Sequence, residues 1–500
     1  AYWLSAVSID VFGPSDLAAR VPAVLASWAM MGLTFLLALR LFNQRAAIFA
    51  ALALFGSNLF FKQAVLAETD ILVAAFMTGA IWTSLKIADM QNQNRSASER
   101  GFLALLAALI ACTILVKGPQ AFLLLLALIA FDLVRHRLGE RPFRNGITIR
   151  LFTTGAFLIT ALLALPWFVY VLSHAGGEQL ASDLQNSAGG GRGHAKGFFA
   201  YFGMLPMAVM PWSIVWGFAL WITFVVLRRN RMFPSDSSKE ISPDGSNDIS
   251  PDDSNERRSL WLLLAWGCAV FVPLMFWGNK QIHYLLPLMP AAMISVGWML
   301  DRSLRDRTDP SSKIVNGYVK VLLVVCALIV PALPIVGNQL RSHTAPIDYM
   351  ISFVLAVAVI TSIALLRKGA DGTLTRIATI MSAIVFFTLS AFWVPTLDPV
   401  NSHTITMGLR EKFPNATFVF RNEPSLAMVA AFDRVIPVMS EEQLAQLSTD
   451  PTASERVICL DTDPFDKSPL TNFEELERII DDDDTVVVYT ADGSMWDEVP

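Results

Sequence analysis

The sequence predicts an all-α polytopic membrane bundle of about 12 spans followed by a small α/β domain outside the membrane. Three observations carry this expectation. Strongly apolar stretches recur through the first 400 residues, Lys and Arg collect in every second gap between them, and the texture changes after residue 400. Composition agrees: 54% of residues are hydrophobic and 16% charged, with mean hydropathy +0.49, whereas soluble domains carry about a quarter charged residues. That balance excludes a soluble globular class.

One crossing takes about 20 apolar residues. The spans fall near 21–42, 46–63, 71–88, 101–117, 119–134, 151–173, 199–227, 259–277, 282–300, 314–336, 349–366 and 376–395. The basic gaps hold 23 cations, among them Arg40, Arg45, Arg135, Arg141, Arg228, Arg258, Arg302 and Arg367. The alternate gaps before residue 400 hold seven: Arg20, Lys62, Lys117, Arg192, Lys196, Lys280 and Arg341. By the positive-inside rule the basic gaps are cytoplasmic and the sparse ones face outward. Residues 1–20 and the tail then both lie outside, and that parity calls for a crossing upstream of Ala1, as in a chain lacking its N-terminus.

The expected division is a bundle over 1–400 and an outer domain over 401–500. Within the bundle, 228–258 reads as a disordered cytoplasmic loop, because its Ser/Asp/Pro tract, with the repeat Ile241-Ser-Pro-Asp and Ile249-Ser-Pro-Asp, has too little apolar surface to order itself. In the tail, β-rich runs (417–420, 434–438, 456–460, 485–489) alternate with amphipathic helical ones (425–432, 440–447, 472–480). It carries 20 acidic residues against 7 basic, which disfavours nucleic acid and anionic headgroups as direct partners. Asp481–Asp484 reads as a solvated turn, with a divalent-cation site as the alternative. Cys112, Cys268 and Cys326 lie within spans and Cys459 alone in the tail, so no structural disulfide is expected.

Ionisable groups inside a bilayer are costly and usually functional, yet the span centres here are almost free of them. Polar groups cluster at the outer mouths instead. Glu68-Thr69-Asp70 offers carboxylates for general-base work, metal ligation or a helix N-cap. Lys117-Gly118-Pro119 forms a tight turn whose Lys either snorkels to the interface or meets an anionic headgroup. The loop 174–196 holds Arg192, His194 and Lys196 beside Gly189-Gly190-Gly191, a flexible linker or a phosphate-closing loop, but not a P-loop, since no Lys-Ser/Thr follows. A short turn with Lys280, His283 and Tyr284 before Pro287 exceeds what an aromatic belt requires. Together they suit a lipid phosphate whose headgroup lies outside.

In their order, these residues resemble the superfamily of aminoarabinose transferases and protein O-mannosyltransferases, GT-C glycosyltransferases that use polyprenyl-phosphate sugars. Tyr2-Trp3-Leu4, Phe12-Gly13 and Arg20-Val21-Pro22 look like the segment after its Lys-Pro-Pro motif. Glu68-Thr69-Asp70 resembles its second acidic motif, Lys117-Gly118-Pro119 its Lys-Gly-Pro turn, and Pro166-Trp167 and Pro211-Trp212 its Pro-Trp pairs. Lys280 to Pro290 is similar to its Lys-x-x-x-Tyr-x-x-Pro segment, and Asn422 to Leu426 to a phrase opening its outer domain. The resemblance implies an enzyme with Lys117, Arg192, Lys280, His283 and Tyr284 at the donor, Asp70 and Glu68 as catalytic carboxylates, and the principal base upstream of Ala1. It leaves open a divalent metal held in part by His194.

The expectation is therefore a glycosyltransferase, hexosyl or pentosyl, of a bacterial inner membrane, with its active site outside the cytoplasm. Its partners are a polyprenyl-phosphate-linked sugar, membrane lipid and a lipid, glycan or protein acceptor, as in lipid A modification, protein O-mannosylation or other cell-envelope chemistry. The rival is a transporter or flippase of an amphiphilic lipid-linked substrate; such proteins place polar groups at the midplane, often in repeated halves, and neither is visible here. A sensor with an outer ligand-binding domain would not need polar turns at several outer mouths.

Overall fold

The computed structural model describes residues 2–13, 16–66, 68–93, 96–174, 197–229, 251–306, 308–322, 324–325, 408–413, 416–421, 437–440, 443–444, 457–461, 474–480 and 485–490. The chain divides into two compact units, Ala1–Ala391 and Phe392–Pro500.

The first unit is helical. It comprises α1 (Tyr2–Phe12), α2 (Asp16–Leu41), α3 (Gln44–Phe55), α4 (Asn58–Ala64), α5 (Asp70–Asn92), α6 (Ser96–Lys117) and α7 (Ala121–Arg137). Then follow α8 (Ile147–Thr153), α9 (Phe157–His174), α10 (Ala200–Val209), α11 (Ser213–Arg229), α12 (Pro251–Phe276) and α13 (Met289–Arg305). Short 3-10 turns, Gly118–Gln120 and Ile282–Leu288, lead into α7 and α13. Among the described residues five helices are long and apolar enough to cross a membrane, and up to eight spans result if each of three bent pairs is one span. The chain is an integral membrane protein. The expected spans near 349–366 and 376–395, and most of 314–336, lie outside the described residues.

Three spans that read as continuous are bent: α3 and α4 by 64°, α8 and α9 by 74°, α10 and α11 by 112°. At the second bend Gly155 takes φ +74, a conformation without steric cost only for glycine. Residues 251–258, expected in the disordered loop, are instead the start of α12. Proline suits the first helical position, where its missing N–H costs nothing, and partners fix the turns that follow. Glu256 accepts from Trp298 Nε1 and Arg258 clasps Glu140. Residues 230–250 lie outside the described residues.

Burial sorts the helices. The apolar windows of α5 and of the span Ile282–Arg305 are 83% buried, against 39% for those of α2, α6 and α12. Hence α5 and α13 form the interior, while the others turn apolar faces outward, as Trp28, Leu162 and Phe276 do. The tightest approach joins α13 to α3, where a Cβ on Gly297 would meet the backbone of Ala46 and Ala50. Small residues at helix crossings let backbones pack closely where lipid removes the hydrophobic drive between helices.

The ends of the bundle differ in chemistry. Residues of the basic gaps and neighbouring helix ends pair with one another: Arg135 with Gln91 and Glu140, Glu140 with Arg258, and Glu99 with Gln91 and Arg150 are linked, and Arg40 with Asp89 and Arg302 with Glu256 form separate pairs. Asn43 caps α3 through the N–H groups of Arg45 and Ala46 and donates to Asp301 at 2.7 Å. Asp132 accepts from the N–H groups of Ile147 and Thr148 at 2.8 and 2.7 Å, anchoring the start of α8.

The second unit contains a four-stranded sheet of order β1-β2-β4-β3, with β1 (Thr417–Phe420), β2 (Val457–Asp461), β3 (Glu474–Ile480) and β4 (Thr485–Thr490). β1 and β2 are parallel, and β4 pairs antiparallel with both β2 and β3. Segment 472–480, expected to be helical, is thus strand from Glu474 onward. Cross-strand pairing overrides its helical periodicity, and its Glu and Arg residues are of the kind that protect a sheet edge from further pairing. The run 434–438 contributes the bridge of Val438 to Phe420. Residues 425–432, and 440–447 apart from 440 and 443–444, lie outside the described residues.

Candidate active site

The two innermost spans, α5 and the one opening at Ile282, begin at the same end of the bundle, opposite the basic network. Asp70 is the first residue of α5, and Thr69, at the N-cap position, makes no side-chain cap bond. The N-cap reading of Asp70 is therefore replaced: its carboxylate points to other elements. Lys117 closes α6 and its Nζ donates to both Asp70 oxygens at 2.8 Å. Gln120, in the turn that follows, donates to Oδ1 at 3.3 Å. The Asp70 side chain is 5% exposed and that of Lys117 29%. A carboxylate so buried requires its counter-charge, while the first turn of α5 adds the favourable end of a helix dipole.

The 3-10 turn brings the remaining groups. His283 Nε2 stands 3.9 Å from Asp70 Oδ2, and its ring meets that of Tyr284 edge-on at 4.8 Å. Lys117 Nζ lies 4.7 Å from the centre of the Tyr284 ring, so the amine is held by a carboxylate and an aromatic face together. Glu68, between α4 and α5, has a buried Oε2 with no hydrogen-bond partner. Tyr201 of α10 is buried and lies within electrostatic reach of Tyr284 and Asp70.

Beside this cluster is a cavity of about 380 Å³, lined by Lys117, Gln120 and Tyr284 and by Phe122, Leu123, Pro273, Leu274, Phe276 and Trp277. Its polar groups come from the α6 end and the two 3-10 turns, its apolar wall from α7 and α12. Phe122 and Phe276 are exposed, so the apolar rim reaches the outside of the bundle. A ligand with an anionic head and a hydrocarbon tail matches that gradient.

Of the residues singled out in the sequence, Asp70, Lys117, His283 and Tyr284 meet, and Glu68 stands beside them. Lys280 does not join: the residue is 3% exposed and its Nζ donates to the Trp277 carbonyl. Arg192 and His194 lie outside the described residues. Among the described residues no three His, Cys, Asp or Glu side chains are grouped to hold a metal. Gln120 and Trp277 were missed as site residues. Gln120 had a signal, since it follows Lys117 by three positions and helical neighbours at that spacing share a face.

Known proteins resemble the chain in sequence and in fold. Residues 1–174 match the family model described as dolichyl-phosphate-mannose-protein mannosyltransferase. The chain is 22% identical over 339 residues to undecaprenyl phosphate-alpha-4-amino-4-deoxy-L-arabinose arabinosyl transferase 2 of Proteus mirabilis, covering 66% of this chain and 53% of the relative. It is 26% identical over 233 residues to transferase 1 of Pseudomonas fluorescens, covering 43% and 37%. The chain thus spans about half the length, or less, of the curated relatives it matches. The crystal structure of ArnT from Cupriavidus metallidurans in the apo state superposes with TM-score 0.65 at 16% identity, over 98% of this chain and 87% of that one. Its complex with undecaprenyl phosphate gives 0.61 at 18% identity, over 97% and 86%. The likeness to the crystal structures is one of fold, and the site described above rests on this chain's own side chains.

Proposed function

We propose that this protein is a membrane glycosyltransferase that moves a sugar from a polyprenyl-phosphate donor to a lipid, glycan or protein acceptor on the extracytoplasmic face. The observation that carries the reading is the Asp70–Lys117–Tyr284 cluster at the head of a cavity whose other wall is apolar and reaches the bundle exterior. The orientation follows the positive-inside rule, since the basic gaps gather at the opposite end. The relatives support the donor class: one solved structure holds undecaprenyl phosphate, and the curated relatives are named for an undecaprenyl-phosphate aminosugar.

In the proposed reaction an acceptor nucleophile bonds to the anomeric carbon as the carbon–oxygen bond to the phosphate breaks. The electron pair leaves with the polyprenyl phosphate, a stable anion that needs no general acid. Lys117 and the Tyr284 hydroxyl donate to the phosphate oxygens as charge builds there, and such charge-assisted bonds are worth about 1.5–3 kcal/mol each. Asp70 commits its oxygens to Lys117 and Gln120, so its role is to aim the cation. Glu68, with an uncommitted oxygen, is the carboxylate here best suited to accept the acceptor's proton. A divalent metal held in part by His194 would supply an electrophile for the departing phosphate.

The test is transfer. Membranes containing the protein, given undecaprenyl-phosphate aminoarabinose or a polyprenyl-phosphate mannose, should release free polyprenyl phosphate, and the preferred donor decides between pentosyl and hexosyl transfer. Asp70→Asn should abolish release per unit of folded protein. Release unaffected by Asp70→Asn, or none with either donor, would overturn the proposal.

A further inference from the structure

Two cationic or potentially cationic side chains converge on one buried carboxylate. Lys117 contacts both oxygens of Asp70 at 2.8 Å, and His283 Nε2 waits 3.9 Å from Oδ2, beyond hydrogen-bond distance. The amine lies beside the cavity and is partly exposed, whereas the carboxylate is 5% exposed. A phosphate entering the cavity therefore competes with Asp70 for Lys117, and success would leave Asp70 buried without a counter-charge, which is strongly unfavourable.

The charged and titratable groups facing His283 are Asp70 on α5, Lys117 at the end of α6, Glu68 between α4 and α5 and Lys62 on α4. Tyr284 is its ring neighbour, and Tyr201 of α10 interacts with Tyr284 in turn. Of these, Asp70 is the one within ion-pair distance of the imidazole. The edge-on packing against Tyr284 holds the ring so that a small shift closes the gap to Oδ2.

We propose that His283 is a positioning residue that takes up a proton and replaces Lys117 as the partner of Asp70 when a phosphate draws Lys117 into the cavity. The inference rests on the reading of this cavity as a polyprenyl-phosphate site. Its consequence is a linkage. Binding takes one proton from solvent, so affinity falls as pH rises through the range where free His283 is neutral, at up to tenfold per pH unit. A free imidazole titrates near 6.5 and the second proton of a phosphate monoester near 6, so above pH 7 the ligand stays a dianion and adds no slope of its own.

The experiment titrates the full chain, in nanodiscs of zwitterionic lipid, with undecaprenyl phosphate at pH 7, 8 and 9. For the unaltered protein Kd should rise at least tenfold from pH 7 to 9. His283→Gln should bind about tenfold more weakly at pH 7 and change less than threefold across the range. His283→Lys, charged throughout, should restore tight binding with an equally small change. A packing role for His283 would weaken binding evenly and leave the slope intact. A wild-type slope in His283→Gln, or a flat unaltered protein, overturns the relay and leaves the phosphate site standing. No binding at any pH overturns the reading of the cavity itself.

Discussion

Replacing Lys117 by Met keeps the length of the apolar stem and deletes the amine that both oxygens of Asp70 accept from at 2.8 Å. What remains on the carboxylate is Gln120 at 3.3 Å and a His283 ring at 3.9 Å. Orphaning a buried charge costs about 3–5 kcal/mol, and the 29% exposure of Lys117 puts this site at the lower end, about 3 kcal/mol. Asp70→Asn removes the same pair from the other side but leaves an amide that still accepts a hydrogen bond and an amine that still reaches water. Its cost should be about 1.5–3 kcal/mol, that of a charged hydrogen bond. The double variant strands neither charge, so it should be more stable than the sum of the single effects by about 2 kcal/mol. The assay is a double-mutant cycle in reversible micellar unfolding. Additivity within about 0.5 kcal/mol, the behaviour of independent sites, would refute the pairing.

Lys280→Met should lower stability by about 1–3 kcal/mol, because the half-buried Trp277 carbonyl loses its donor, yet leave the Kd for undecaprenyl phosphate within threefold of the unaltered protein. Gly297→Val should destabilise by about 3 kcal/mol or more, read as a drop in thermal midpoint, since its side chain enters the α3 backbone. Single cysteines at Ser173 and Asn145, both exposed, should differ in intact spheroplasts: an impermeant thiol reagent should label Ser173→Cys and spare Asn145→Cys. The reverse would invert the topology.

The apolar lengths and the alternation of cations were enough to read the bundle, because a bilayer forces both on the chain. They were silent on the bends, which depend on local events such as the positive φ of Gly155, and on the helix begun at Pro251, whose turns are fixed by partners far away in sequence, Glu140 and Trp298. Glu474–Ile480 looked helical because its charges repeat at helical spacing; pairing with β4 is a non-local term no window contains. At the site, sequence offered Asp70, Lys117, His283 and Tyr284 as separate outer-mouth groups. Their convergence follows from the packing of the Ile282–Leu288 turn and of α6 against α5, which brings His283, Tyr284 and Lys117 to Asp70. Asp70 beside an apolar run looked like an N-cap, and only the partner 47 positions away redirects it. Lys280 and Lys117 were alike in sequence; burial and the Trp277 carbonyl separate them.

The account turns on a phosphate recognised by Lys117 at the head of an apolar cavity. Equilibrium binding of undecaprenyl phosphate and of undecaprenol, which shares the tail and lacks the phosphate, tests this most directly in the same nanodiscs. The phosphate should bind at least tenfold more tightly than the alcohol, and Lys117→Met should cut that preference about tenfold, a loss of about 1.4 kcal/mol. Equal binding of the two lipids, or a preference undiminished in Lys117→Met, would contradict it.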